Sequence, residues 1–141
     1  MSSPVEALVD HYLLEFGSAE WAHAFHRLVE LGPVALPFLR SRFDEARDPA
    51  LRAEIVIVAQ QWHSADALAL FAQALEDGRP PVWKAALDGL VDLATPQACA
   101  VLERALSAPR PQGRAADDFE AWLREALAQV REALRDPEAE P

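Results

Sequence analysis

The sequence predicts an all-α protein made of a few helix pairs stacked side by side. Three observations favour this fold class. Alanine and leucine, both strong helix formers, are the commonest residues of the 141-residue chain. Proline and glycine interrupt the chain at short intervals, between segments whose apolar residues recur with the helical period. Several segments also align with one another at a nearly constant spacing, as in helical repeat proteins.

The helix breakers divide the chain into eight helical segments. Asp48 and Thr95 are good N-cap residues, and each precedes a proline, the residue preferred at the first helical position. Gly32 and Gly78 follow segments, where a left-handed residue often ends a helix. The β-branched run at 55–58 lies inside a longer helical pattern and therefore predicts no strand. The predicted helices span 4–16, 18–31, 33–46, 49–62, 64–76, 80–94, 96–107 and 115–135.

An internal repeat aligns the third, fifth and seventh segments. They begin at Pro33, Ala65 and Pro96, so the offsets are 32 and 31 residues. The aligned positions are Ala35, Ala67 and Ala98; Leu36, Leu68 and Cys99; Leu39, Phe71 and Leu102; and Phe43, Leu75 and Leu106. A single helix pair cannot bury its own apolar face, so repeats of this length must stack. We expect the core between layers to contain Leu39, Val58, Phe71 and Leu90.

The residues of this repeat resemble those of a known family. The stretch from "LGPVALPFLRSRF" through "RDPALRAEIVIVAQQW" to "TPQACAVLERAL" is similar to HEAT repeats of the short bacterial type. Asp48-Pro49 and Leu51-Arg52 match the turn and the second helix of the family pattern, whereas Trp83 stands where an arginine is expected. The resemblance is clear over 33–107, weaker over 1–32, and is lost over 108–141.

The resemblance implies the architecture and the general role. We expect a short right-handed α-solenoid of about four stacked antiparallel helix pairs over 1–135, followed by an acidic C-terminal tail at 136–141. HEAT proteins are usually scaffolds that bind partners along a curved surface, and few are enzymes. In such stacks, the second helix of each pair lines the concave side.

Charge favours a protein partner. The formal net charge is -10, which repels phosphate backbones and anionic lipid headgroups and so disfavours nucleic acid and membrane surfaces as partners. A basic protein surface is the better candidate, although the charge has the alternative explanation that it only keeps the protein soluble. Cys99 is the only cysteine, which excludes a disulfide within the chain. The apolar stretches are too short to span a membrane, and the N-terminus does not resemble a signal peptide, so we expect a cytoplasmic protein.

The candidate partner site is an acidic concave groove. Carboxylates lie on or just before the second helices at Glu54, Asp88, Asp92, Asp117 and Asp118. Trp83 lies at the edge of the apolar stripe of its helix. Two interpretations remain open: it anchors a partner at the rim of the groove, or it packs against the next repeat. The acidic residues have the alternative interpretation of a merely solvated helix face.

The sequence shows no constellation that identifies a reaction. It contains no catalytic triad with a supporting motif, no glycine-rich phosphate loop and no paired-cysteine metal motif, so we predict no catalytic residue and no cofactor. His23, His26 and Glu30 share one face of the second helix at spacings that would permit a surface zinc site, or they form an ordinary solvated face. Trp21 and Trp62 fall on the core faces of their helices.

Two function classes follow. The first is a non-enzymatic protein-binding module, whose sharper form is an inhibitor or immunity protein of a cationic toxin. The second is a HEAT-like accessory enzyme, such as a chromophore lyase or a protein that excises damaged DNA bases. The DNA function would need a basic concave groove, which the composition does not favour.

Overall fold

The structure, a computed structural model, describes residues 3–108 and 116–135. These residues form eight α-helices and two short 3-10 helices, with no strand among them, which confirms the all-α prediction. The predicted tail at 136–141 lies outside the described residues. The helices are α1 (Pro4–Leu13), α2 (Trp21–Leu31), α3 (Leu36–Glu45), α4 (Pro49–Gln60), α5 (Leu68–Leu75), α6 (Pro80–Leu93), α7 (Pro96–Ser107) and α8 (Ala116–Arg135).

The helices stack as four pairs in two layers. Each pair joins consecutive helices, from α1 with α2 to α7 with α8, and the main contacts between pairs join immediate neighbours only. The second helices, α2, α4, α6 and α8, each contact the next and form one layer. The first helices form the other layer, in which α3 and α5 approach each other less. The closest packing in the second-helix layer is between α4, α6 and α8.

The repeat is visible in the local structure as well as in the packing. The 3-10 turns Pro33–Ala35 and Ala65–Ala67 introduce α3 and α5 at equivalent positions. The aligned alanines Ala35, Ala67 and Ala98 are all fully buried, because each lies where a first helix enters the core. Asp48 and Thr95 cap the helices that follow them: their side chains accept hydrogen bonds from Ala50 N and Ala98 N, both at 3.1 Å.

The start of α2 differs from the prediction. The helix begins at Trp21, and the Ser18 hydroxyl accepts from Glu20 N while donating to Glu15 O, so it stabilises the turn after α1. Trp21 is 52% exposed, and its assignment to the core was wrong. It lies in the first turn of α2, in a helix pair that has a neighbouring pair on one side only in the described structure. Trp62 does pack against the core, and its indole N–H donates to Val29 O at 2.9 Å.

The core between the layers confirms the helical phase. Leu39, Val58, Phe71 and Leu90 are all between 0% and 1% exposed. The closest approach occurs at Gly89 in α6, where a Cβ atom would lie 2.6 Å from the ring of Phe71 in α5. The absence of a side chain at this position therefore lets the two helices of the third pair pack with an aromatic ring between them.

A buried carboxylate ties the second and third pairs together. The side chain of Asp77, after α5, is 2% exposed and accepts from Arg52 Nη1 at 2.8 Å and Arg79 Nε at 3.0 Å. Arg52 also lies over the ring of Phe43, 4.4 Å from its centroid. Burial alone would raise the pKa of Asp77, but hydrogen bonds from the side chain and backbone of Arg79 and from Arg52 outweigh it and lower the pKa to about 2.

A second cluster ties the first pair to the second. Arg42 in α3 donates from Nη2 to Glu6 at 2.7 Å and to Asp10 at 3.0 Å, both in α1. Hydrogen bonds to Asp10 and Glu6 raise the pKa of Arg42, and the hydrogen bond from Arg42 lowers the pKa of Asp10. Salt-bridged side chains thus join α1 and α3 on the first-helix side of the first two pairs.

We expect Gly89→Ala to destabilise the protein. An alanine inside a helix usually gains about 1 kcal/mol over glycine, but here the added methyl would overlap the buried ring of Phe71. Overpacking of this kind costs about 1–3 kcal/mol, so the loss exceeds the gain. Urea unfolding of the native protein and of Gly89→Ala measures the net change in the free energy of unfolding. The double variant Gly89→Ala with Phe71→Leu tests whether the ring of Phe71 is the cause of the loss. A single variant more stable than the native protein would contradict the close packing.

We expect the contribution of Asp77 to stability to disappear in acid. Because its pKa in the folded protein is below the unfolded value, its contribution is complete above about pH 4 and is lost as the pH falls toward 2. The free energy of unfolding of the native protein should exceed that of Asp77→Asn by about 2 kcal/mol at pH 7. Unfolding both proteins between pH 7 and pH 2 should show the difference shrinking. A difference independent of pH would mean that the charge of Asp77 does not stabilise the fold.

Candidate functional site

A groove lies in the layer of second helices, between α4, α6 and α8. Its volume is about 210 Å³. Leu87, Val91 and Ala126 form an apolar floor, and polar side chains form the walls. The polar and aromatic wall residues are Gln60 from α4, Asp88 and Asp92 from α6, and Trp122, Glu125 and Gln129 from α8. The groove therefore brings side chains of three second helices together.

The α6 wall carries two carboxylates one helical turn apart. Asp88 and Asp92 are both exposed, and Gln60 Nε2 donates to Asp92 Oδ2 at 2.8 Å. Burial and the neighbouring charge of Asp92 raise the pKa of Asp88 above its usual value. Among the described residues, neither carboxylate forms an ion pair. In the described structure, the wall therefore carries two carboxylates without an arginine or lysine in ion-pair contact, and the cation of Lys84 lies over Trp122.

The α8 wall adds a third carboxylate and an aromatic ring. Trp122 is 44% exposed. Glu125 lies three residues further along and accepts from Gln129 Nε2 at 3.1 Å. The ammonium of Lys84, from α6, lies over the indole of Trp122, 4.4 Å from the ring centroid. The exposed indole thus already binds a cation of the same chain.

Trp83 does not occupy the place predicted for a partner anchor. Its side chain is 1% exposed, and its ring meets Phe119 edge-on with centroids 5.0 Å apart. Trp122 covers it from the solvent side, with centroids 6.2 Å apart. The anchoring role was therefore wrong and the alternative interpretation, packing against the next helix pair, is correct. The indole N–H of Trp83 has no hydrogen-bond acceptor among the described residues.

The other predicted carboxylates divide between the groove and its surroundings. Glu54 in α4 is half-buried and does not line the groove, and burial raises the pKa of its carboxyl group. Asp118 is exposed, one turn before Trp122 on the same face of α8. Asp117 lies in the first turn of α8, but its side chain is outside the described residues. The structure therefore brings Asp88 and Asp92 together in the groove, with Asp118 beyond its α8 wall.

The residues considered for other chemistry have ordinary surroundings. His23, His26 and Glu30 are all exposed on α2, and Glu30 pairs with Arg27 at 3.0 Å. Within residues 3–108 and 116–135, no group of three or more His, Cys, Asp or Glu side chains is arranged to hold a metal ion. Cys99 is half-buried against the core, and its Sγ lies 3.7 Å from Glu103 Oε2.

Comparison with known families agrees with the repeat geometry. The profile described as HEAT repeats matches residues 36–117, which is more than half of the chain. The chain belongs to the HEAT-repeat family. The match includes helix pairs two and three and the whole of α7, and it ends where α8 begins. HEAT repeats generally mediate protein–protein interaction, and the family is typically a non-enzymatic scaffold.

Two further comparisons found no related protein of known function or structure. Searches against curated proteins and against solved structures gave no significant match. In the part of the HEAT chain that the structure describes, each helix is too short or too polar to cross a bilayer.

Sequence reasoning missed the α8 wall of the groove. Trp122, Glu125 and Gln129 follow one another at spacings of three and four, which places them on one face of a helix. Phe119, Leu123 and Ala126 occupy the buried side. That pattern was readable in the sequence, but the repeat alignment ended before α8, so nothing indicated that this face lies opposite Asp88 and Asp92.

We expect Trp83→Phe to be much milder than Trp83→Ala. Phenylalanine keeps an aromatic ring against Phe119 and removes a buried N–H whose lost hydrogen bond costs about 1–3 kcal/mol. That gain offsets the smaller ring, so the change in the free energy of unfolding should be under about 1 kcal/mol. Removing the ring with alanine should cost about 3–5 kcal/mol. Denaturant unfolding of the native protein and both variants measures the losses. A loss of more than about 2 kcal/mol for Trp83→Phe would mean that the N–H has an acceptor.

Proposed function

We propose that this HEAT protein is a non-enzymatic binding module whose concave groove takes a basic protein. The observation that carries the proposal is the charge of the groove: Asp88 and Asp92 on one wall face Glu125 on the other. These carboxylates form no ion pair among the described residues. Carboxylates that line one groove attract a cationic partner and steer its encounter.

The groove also has the aromatic surface that a binding site needs. Trp122 is exposed at the side of the groove and rests on the buried ring of Trp83. A tryptophan supported from below loses little conformational freedom when a partner covers it, and tryptophan is enriched among residues that dominate binding energy. Trp122 therefore takes the anchoring role that was one of the two interpretations of Trp83 from the sequence.

A cationic toxin fits this site as the partner. An inhibitor of the immunity-protein type needs a small, stable, acidic surface that blocks a basic active surface, and the groove with Asp118 beyond it offers one. The same charge argues against DNA as the ligand, because phosphates would face carboxylates on both walls. A base-excision function therefore has no support from the groove, whereas protein binding uses every feature of it.

We expect charge reversal in the groove to slow the association of the partner. The double variant Asp88→Lys with Asp92→Lys should reduce the association rate by about 10-fold or more at low salt and flatten its salt dependence, because such charges act chiefly on encounter. Trp122→Ala should instead speed dissociation by an amount worth about 2 kcal/mol. The measurement is binding kinetics at two salt concentrations, against the protein that the chain captures in a pull-down from its native host.

A matched control separates the groove from the overall charge. Glu20 and Glu76 are exposed and lie outside the groove, so Glu20→Lys with Glu76→Lys makes the same change in net charge elsewhere. The control should keep most of the association rate. An acidic captured partner, or equal effects of the two double variants, would refute the acidic-groove function.

A further inference from the structure

The groove has an aliphatic floor and mostly polar walls, and this contrast indicates the chemistry of its ligand. Leu87 and Ala126 are buried, and with Val91 they present only aliphatic surface at the bottom. Such a floor suits the methylene stem of a long side chain. A ligand that was polar along its whole length would leave this surface in contact with water, so the floor favours an amphipathic side chain.

The hydrogen-bonding groups of the walls present acceptors. Asp88, Asp92 and Glu125 contribute carboxylates, which only accept when ionised. The two amides reinforce this pattern, because Gln60 directs its nitrogen to Asp92 and Gln129 directs its nitrogen to Glu125. Each amide keeps its carbonyl oxygen and a second N–H, so acceptors outnumber free donors on the walls. The groove therefore favours a ligand that brings several donors.

The aromatic wall adds a preference for positive charge. The ammonium of Lys84 lies 4.4 Å from the centroid of the Trp122 ring and 5.7 Å from that of the Trp83 ring. A cation attracted to the face of an indole gains energy from the ring quadrupole. Lys84 thus shows, within the chain, the kind of group that this wall binds.

We infer that the groove is a subsite for one arginine side chain of the partner. This inference rests on the proposed function and names the group that the site recognises. The arginine stem lies on the Leu87 and Ala126 floor, and its planar guanidinium donates to carboxylates on both walls. Five N–H donors in a fork reach two walls together, whereas the three donors of a lysine ammonium radiate from one atom. The guanidinium plane also stacks on Trp122.

Lys84 then acts as an internal competitor. Its ammonium holds the indole face that the incoming guanidinium uses, so the arginine displaces it or shares the ring with it. Lys84→Met keeps an aliphatic chain of similar length and removes the cation. This variant should bind arginine about 3-fold or more tightly than the native chain. Arg104→Met, which removes an exposed cation from α7, is the control for the change in net charge.

The experiment titrates the full chain with three small probes. N-acetyl-arginine amide, N-acetyl-lysine amide and N-acetyl-citrulline amide are followed through the indole N–H signal of Trp122 in nuclear magnetic resonance spectra. Citrulline has the shape of arginine without its charge. We expect saturable binding of the arginine probe, binding of the lysine probe weaker by about 3-fold or more, and no saturation with citrulline. Citrulline binding as tightly as arginine would overturn the inference, and so would lysine binding more tightly.

Variants locate the binding. Asp88→Asn with Asp92→Asn should weaken arginine binding by about 10-fold, whereas the matched control Glu20→Gln with Glu76→Gln should change it by less than about 2-fold. Circular dichroism of each variant verifies that the helices remain. Equal weakening by both double variants would show general charge attraction and would refute the subsite.

The outcome separates this inference from the proposed function. If a basic partner binds through the groove but the arginine probe does not saturate, the subsite is refuted and the proposed function stands. If the probe binds and Asp88→Asn with Asp92→Asn weakens it, while groove reversal leaves partner association unchanged, the arginine specificity of the groove stands. The proposed function, with the assignment of that arginine to the partner, is then refuted.

Discussion

Everything in this protein depends on apolar helix faces that only a neighbouring helix pair can cover. The second helices α4, α6 and α8 pack in series, and the groove lies between them. Leu87 and Ala126 belong to the core and to the groove floor at the same time. The candidate site is therefore shaped by the stacking of the repeats rather than by a loop.

The charges of the chain are arranged in two contrasting ways. Asp77, between the second and third pairs, is buried and compensated by two arginines, and its lowered pKa reports stabilisation of the charged form. Asp88 has a raised pKa, because burial and Asp92 oppose its charge. The surroundings of Asp77 therefore stabilise its charged form, whereas those of Asp88 oppose it.

The sequence predicted what depends on local phase and missed what depends on tertiary placement. The N-caps Asp48 and Thr95 and the buried Leu39 and Phe71 follow from spacing and from caps within one repeat. The role of Trp83 stayed ambiguous because its angle around the helix shows where the side chain points. The angle does not show whether another helix covers it. The answer, Phe119 and Trp122, belongs to α8, which follows a segment outside the repeat alignment. The exposure of Trp21 likewise depends on tertiary placement, which the helical phase does not show.

The groove exists only while α8 stays packed on α6, because α8 supplies one of its walls. In a stack held by nearest-neighbour contacts, a helix pair at one side opens at a lower free energy than the middle of the array. The α7–α8 pair contacts one neighbouring pair in the described structure, mainly through α8 on α6. When α8 detaches, Trp122 and Glu125 leave Asp88 and the site ceases to exist. A bound ligand therefore stabilises the docked helix by mass action, and affinity is linked to the cohesion of that pair.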